Sequence, residues 1–219
     1  MLKYLSHSKK GLRRQRNQDR VLIIEQNDYY LFLIFDGVSS IENSYVFINN
    51  FKKILRTNLN QLNSDGENLA QIFYKSHSEV LQKGQDGMST LAGLFYSKSS
   101  QMARYLSIGD SRLYIFSNQF LEKITEDDSL EYRPNVLTKC LGTPELSIKD
   151  FEAKEVLKDY NFLLCTDGFY SLMSKNLKAY FDAYNFKKLG NIEKKLSYLQ
   201  RRLNNDDSSY IIVKHEIPS

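Results

Sequence analysis

Aspartates at the ends of apolar runs are the residues of this chain best placed to do chemistry. The run YYLFLIF meets Asp36 and Gly37, and FLLCT meets Asp167 and Gly168. A carboxylate there is held by a buried strand yet reaches the rim, and the glycine lets the backbone turn close to a ligand. Asp110 stands in the tight turn of YLSIGDSR, and Asp206 shortly precedes the apolar run at residues 210–214. Taken singly, each reads more readily as a turn former or a helix N-cap, as in an unrelated α+β domain, and the case rests on their combination. Gathered on one edge, bare carboxylates repel, and a hard cation such as Mg²⁺ or Mn²⁺ is their natural neutraliser. Two such ions about 3.5–4 Å apart activate water for in-line attack on phosphorus. A guanidinium from residues 13–16 matches a phosphate bidentately.

The elements that must position these groups follow from pattern. Residues 21–26 and 29–35 read as a hairpin turned at Asn27-Asp28. Ser39 and Glu42 have capping-box spacing, predicting a helix with a stripe of Ile41, Tyr45, Ile48, Phe51 and Leu55. Ser64 and Glu67 open a second helix with Leu69, Ile72, Phe73, Val80 and Leu81 inward. Residues 90–96, 103–108, 113–117 and 120–124 read as strands joined by short turns, so antiparallel pairing is expected. Residues 126–135 read as a polar loop, and 146–156 with 160–166 as a hairpin turned at Lys158-Asp159. A helix begins in residues 169–173, and Ile192, Leu196, Leu199 and Leu203 space a last one before the strand 210–214. Helices segregated from strands predict an α+β layered sandwich rather than a doubly wound sheet.

At 219 residues, one domain spanning 1–219 is expected. A net charge of +4 is too mild for a nucleic-acid footprint, although Lys9, Lys10, Arg13, Arg14 and Arg16 cluster. Cys140 and Cys165 sit in apolar contexts and read as buried core, and the three histidines lack zinc spacing. MLKYLSHSKK has no apolar leader core, and no apolar run approaches the ~18 residues of a membrane span. The expectation is a cytoplasmic protein with no membrane and no nucleic-acid partner.

Eight segments, in order along nearly the whole chain, resemble the metal-dependent protein phosphatases of the 2C family. GLRRQRNQDR resembles the opening G-x-x-R-x-x-N-[EQ]-D on Gly11, Arg14, Asn17 and Asp19, and FDGVSS resembles D-G-x-G-G on Asp36 and Gly37. MSTLAGLF keeps Thr90 of a G-T-T strand, and SIGDSRLYIF matches G-D-S-R-x-Y from Gly109 to Tyr114. ITEDDS resembles L-T-x-D-H-S, NVLTKCLG resembles L-T-R-A-L-G, LLCTDGFYSLMS resembles the S-D-G segment, and NDDSSYIIV resembles the terminal D-N-x-T.

The resemblance implies a four-layer αββα sandwich, two central antiparallel sheets flanked by helix pairs. It implies Mn²⁺- or Mg²⁺-dependent hydrolysis of phosphoserine and phosphothreonine in proteins, with two ions, a third being weaker, and no phosphoenzyme. Asp36 would bridge both ions, Gly37 would offer its carbonyl, and Asp167 and Asp206 would complete the second. Asp19 would act through water, Asp110 would serve the third ion, and Arg14 would hold the phosphoryl group. Phosphoproteins, a Ser/Thr kinase among them, would be the partners of a monomer.

Departures stand beside the matches. Ser39-Ser40 replace the Gly-Gly that follows Asp-Gly in the family, and Met88-Ser89 replace a small-residue pair. Asp128 replaces a histidine, so leaving-group protonation is expected to weaken. Asp207 and Ser39 are further accessory candidates. Only LEYRPNV separates Ser129 from Leu137, so a shortened flap and an open cleft are expected. These departures also suit an inactive phosphatase-like module that binds a phosphoprotein or a kinase.

Overall fold

The computed structural model describes residues 2–215, without the side chains of 134 and 135. Twelve strands are assigned within it: β1 Leu2–Lys9, β2 Arg20–Glu25, β3 Tyr29–Phe35, β4 Leu91–Ser97, β5 Met102–Ile108, β6 Arg112–Phe116, β7 Leu121–Lys123, β8 Ser129–Leu130, β9 Arg133–Leu137, β10 Lys154–Leu157, β11 Asn161–Cys165 and β12 Ser208–His215. The helices are α1 Ser44–Asn58, α2 Leu69–Gln82, α3 Asp167–Lys175, α4 Leu177–Tyr184 and α5 Leu189–Leu199. One antiparallel sheet runs β1-β12-β11-β6-β7, a second runs β10-β5-β4-β3-β2, and β8 with β9 forms a small hairpin.

The sheets stack face to face because their central strands are apolar on both faces. In β3, Phe32 and Ile34 point into the inter-sheet core with Phe162, Leu164, Ile211 and Val213. The alternate residues Leu31, Leu33 and Phe35 point outward under α1 and α2, against Phe47, Phe51 and Phe73. In the other sheet Leu163, Cys165 and Tyr210 face α3, α4 and α5 through Phe169, Tyr180, Tyr184 and Ile192. A period of two with both phases buried gives the uninterrupted apolar runs seen in the sequence. The result is the expected α+β, four-layer αββα sandwich. Cys140 and Cys165 are buried free thiols, as expected.

Several boundaries differ from expectation. Ser39 does not cap α1; residues 39–43 form turns, and Ser44 Oγ instead bonds the carbonyls of Val38 and Ile41. Ser64 does not open α2 either, because Asn68 ties the preceding loop through Asn63 N–H and Gln61 O. β10 and β11 are not a hairpin: β10 pairs with β5, and β11 with β6 and β12. Likewise the turn at Asp110 joins strands of opposite sheets. Leu203 lies past the end of α5 and is 59% exposed. The N-terminal strand β1, paired along its length with β12, has no counterpart in the sequence reading. Residues 129–137 hold the β8–β9 hairpin and no helix, in keeping with a shortened flap. Among the described residues, no helix is long and apolar enough to cross a membrane.

Candidate active site

The carboxylates meet at one mouth between the sheets. Asp36 follows β3, Asp167 opens α3 directly after β11, Asp19 precedes β2, and Asp206 precedes β12. Asp110 sits in the link between β5 and β6, where Gly109 turns the chain at φ +88°. An alanine Cβ there would lie 2.7 Å from Thr90 Cγ2, so only glycine fits.

The electrostatics record the crowding. Burial, then repulsion from Asp19 and Asp167, lifts the Asp36 carboxyl well above the usual carboxylate range. Asp36 and Asp167 come within hydrogen-bonding reach of each other, and burial also raises Asp167, which feels Asp206 in addition. Asp110 is pushed up to about 6 by burial and then by Asp167. Asp19, only 1% exposed, is pushed up to about 7, mainly by burial. Its Oδ2 accepts from Thr166 Oγ1 at 2.9 Å, while Oδ1 is buried with no partner.

Arg14 donates from Nε and Nη2 to the two carboxylate oxygens of Asp206, each at 2.6 Å. This fork brings the phosphate candidate and a ligand candidate together across 192 residues of sequence. Asp207 is spent on the backbone: its oxygens accept from the amides of Gly11 (2.9 Å) and Gln18 (2.7 Å), stapling the loop that carries Arg14. Gly37 is buried beside Gln18 and Ser44 and bridges to Ser89. Asp128 accepts from Gly109 N–H at 3.0 Å and so braces the Asp110 turn; its Oδ1 lies 4.0 Å from Lys139. Ser39 is exposed in a turn, with no recorded bond to the carboxylates.

Two further residues belong here. Tyr170 donates its phenol O–H to Asp110 Oδ2 at 3.2 Å. Arg112 lies 3.5 Å from the Tyr170 ring centroid and forks onto Asp127, with Nη2 2.7 Å from Oδ2. Burial keeps the Tyr170 phenol far above its ordinary range, so it remains a donor. The visible signal was Tyr170 three positions after Asp167, on the same face of a helix.

Among the described residues, no three His, Cys, Asp or Glu side chains close around one point as a ready-made ion cage. The chemistry of the donors nonetheless fits divalent cations: four aspartates raised by burial and mutual repulsion, and an orphaned buried oxygen on Asp19.

The fold has known counterparts. It is similar to the serine/threonine phosphatase Stp1 from Staphylococcus aureus, at 17% identity and TM-score 0.78, covering 99% of this chain and 96% of that one. It is similar to PppA of Pseudomonas aeruginosa at 24% identity and TM-score 0.72, covering 97% of each chain. It is also similar to the catalytic domain of the serine/threonine protein phosphatase PstP in complex with two manganese ions, at 18% identity and TM-score 0.72, covering 97% of each. A search of curated protein sequences finds no significant match. The family profile described as Protein phosphatase 2C matches residues 5–205, stopping one residue short of Asp206, and the chain belongs to that family.

Proposed function

We propose that this protein hydrolyses phosphoserine and phosphothreonine in proteins, dependent on Mn²⁺ or Mg²⁺, without a phosphoenzyme. The observation that carries the reading is the convergence of Asp19, Asp36, Asp110 and Asp167 on one mouth, with the Arg14 guanidinium at its edge. Family membership and a fold like that of a phosphatase bound to two manganese ions support it. Bound divalent ions supply Lewis acidity, lowering the pKa of water and screening the phosphate charge. Asp36, whose carboxyl feels Asp19, Asp167 and Asp110, would be the central ligand of the ions, with the Gly37 carbonyl offering a further oxygen. Asp167 and Asp206 would help to hold a second ion, and Asp110 would serve a third. Arg14 presents two parallel donors, the geometry that grips a phosphoryl group. Asp19, buried and bonded by Thr166 Oγ1, would act through an ion-bound water.

A phosphorylated protein, such as a Ser/Thr kinase or its targets, is the substrate of a cytoplasmic, monomeric, single-domain phosphatase in this reading. PppA, described as a key regulatory component of a type VI secretion system, is a precedent for such a fold in regulation. No specific observation favours an inactive binding module, since the matched aspartates and Arg14 are all at the mouth. Mn²⁺-dependent hydrolysis of p-nitrophenyl phosphate and of a phosphothreonine peptide is expected. Asp36→Asn should abolish both while the circular dichroism spectrum stays the same. Turnover that survives chelation, or that survives Asp36→Asn, would sink the proposal.

A further inference from the structure

The basic cluster of the N-terminal loop is only partly used by Arg14, and the fold enlarges it. Leu12 N–H and Arg13 N–H donate to the carbonyls of Asn204 (2.8 Å) and Asn205 (3.2 Å). Loop 10–14 therefore lies directly on loop 204–206, and Arg201 and Arg202 lead into that second loop. Arg13, Arg16, Arg201 and Arg202 are all exposed. Among the described residues none of them has an ion pair, while Arg14 beside them is taken by Asp206. Arg16 lies 4.4 Å from the Tyr45 ring centroid, which fixes its end of the arc at the start of α1.

Arg202 adds a second observation. At φ +63° it is the one non-glycine residue in the left-handed region among the described residues. Glycine or asparagine would relieve that backbone, so an arginine there is a choice of side chain made against conformational preference.

We infer that Arg13, Arg16, Arg201 and Arg202 form a docking rim for acidic residues flanking the phosphorylated side chain of a protein substrate. The inference rests on the phosphatase reading of the adjoining mouth and names which phosphoproteins it accepts. Exposed guanidiniums on a rim act through steering and register, and their effect is screened beyond a Debye length of about 8 Å at physiological salt. In the cation-loaded mouth the bound ions and the carboxylates offset each other, whereas the rim guanidiniums have no ion pair among the described residues and so carry the charge left for an acidic segment. An acidic peptide is favoured over nucleic acid because the cluster holds four arginines and the net charge of the chain is only +4.

The test is a pair of phosphothreonine peptides with identical cores, one flanked by Asp and Glu, the other by Lys and Arg. With Mn²⁺ at low salt, kcat/KM should favour the acidic peptide by about 10-fold, and the preference should shrink toward unity at about 0.5 M salt. Arg202→Gly removes a cation while relaxing the backbone, so it should narrow the preference without a loss of melting temperature. Arg13→Glu with Arg16→Glu should abolish or reverse it. Equal turnover of the two peptides by the unaltered protein, or a preference untouched by salt and by Arg202→Gly, overturns the inference and leaves the phosphatase reading intact. Equal peptide turnover together with inhibition by single-stranded RNA assigns the rim to nucleic acid and overturns it as well. Hydrolysis of neither peptide removes the phosphatase reading and the inference with it.

Discussion

Tyr170 holds Asp110: its phenol donates to Oδ2 at 3.2 Å, and the Arg112 guanidinium lies 3.5 Å from its ring centroid. Asp127 grips the same guanidinium, so the ring is clamped before any ligand arrives. One oxygen of Asp110 is thereby fixed and the carboxylate turned in a single orientation. Outer partners of this kind typically change metal affinity by about 10–100-fold when removed. Tyr170→Phe keeps the ring under Arg112 and deletes only the hydroxyl. The Mn²⁺ concentration for half-maximal activity should rise at least about 10-fold, with the melting temperature in chelator unchanged. A calorimetric Mn²⁺ isotherm that superimposes on the parent's would refute the role.

Arg14 and Asp206 share two 2.6 Å hydrogen bonds, and in the proposed function each has another task. Arg14→Lys retains the charge but loses the planar fork, so kcat/KM for a phosphopeptide should fall by about 100-fold. Because Asp206 is released rather than damaged, Mn²⁺ affinity measured by calorimetry should not weaken. A parallel loss of metal affinity and turnover would mean that Arg14 serves only to fix the Asp206 carboxylate.

The architecture was legible because burial on both faces of β3, β11 and β12 leaves an unmistakable apolar run. The same feature hid the sheet assignments. A strand apolar on both sides carries no mark of which sheet it joins, so β5–β6 and β10–β11 read as hairpins although each pair crosses between sheets. β1 escaped notice because it is an edge strand with no fully buried residue. Aspartates at strand ends could be picked out by position. Their fates could not: Asp206 and Asp207 are adjacent, yet one faces Arg14 and the other is consumed by two backbone amides. That division depends on how loop 11–18 folds back on residues 204–207, a contact between chain ends with no local signal.

If the proposed function holds, the raised carboxyl groups make cation binding depend on pH. Asp19 at about 7 and Asp110 at about 6 both lie above the ordinary 3.8. An acid with a raised folded-state value contributes fully below its unfolded value, and that contribution is lost as the pH climbs through the folded one. In chelator, these two groups therefore destabilise the fold progressively between pH 4 and about 7. His77, lowered to about 4 from 6.5 by burial, acts in the opposite sense over pH 4–6.5, but it packs against Phe151 and accepts from Gly142 N–H and has no recorded bond to these aspartates. The gain in melting temperature on adding Mn²⁺ subtracts the histidine and isolates the carboxylates. That gain should grow steadily from pH 5 to about 7.5. A gain independent of pH would show that these aspartates are not the groups the cation discharges.

Gly168 follows Asp167 at the point where α3 meets the loop before β12. A Cβ on it would lie 2.0 Å from the Asp207 carbonyl oxygen and 3.3 Å from Asp206 Cβ. The obstacle is backbone, so it cannot swing aside as a flexible side chain would. Gly168→Ala must push α3 off β12 and drag Asp167 away from Asp206, at a cost of about 3 kcal/mol. Gly190, in α5, supplies the contrast, because a Cβ there meets nothing within 4 Å. Gly190→Ala should stabilise by up to about 1 kcal/mol through helix propensity alone. Urea midpoints of the two variants should therefore move in opposite directions, and only Gly168→Ala should also lose Mn²⁺-dependent turnover at temperatures where it remains folded. A Gly168→Ala protein with the parent's midpoint and turnover would mean that α3 and the loop before β12 are not packed as closely as these distances require.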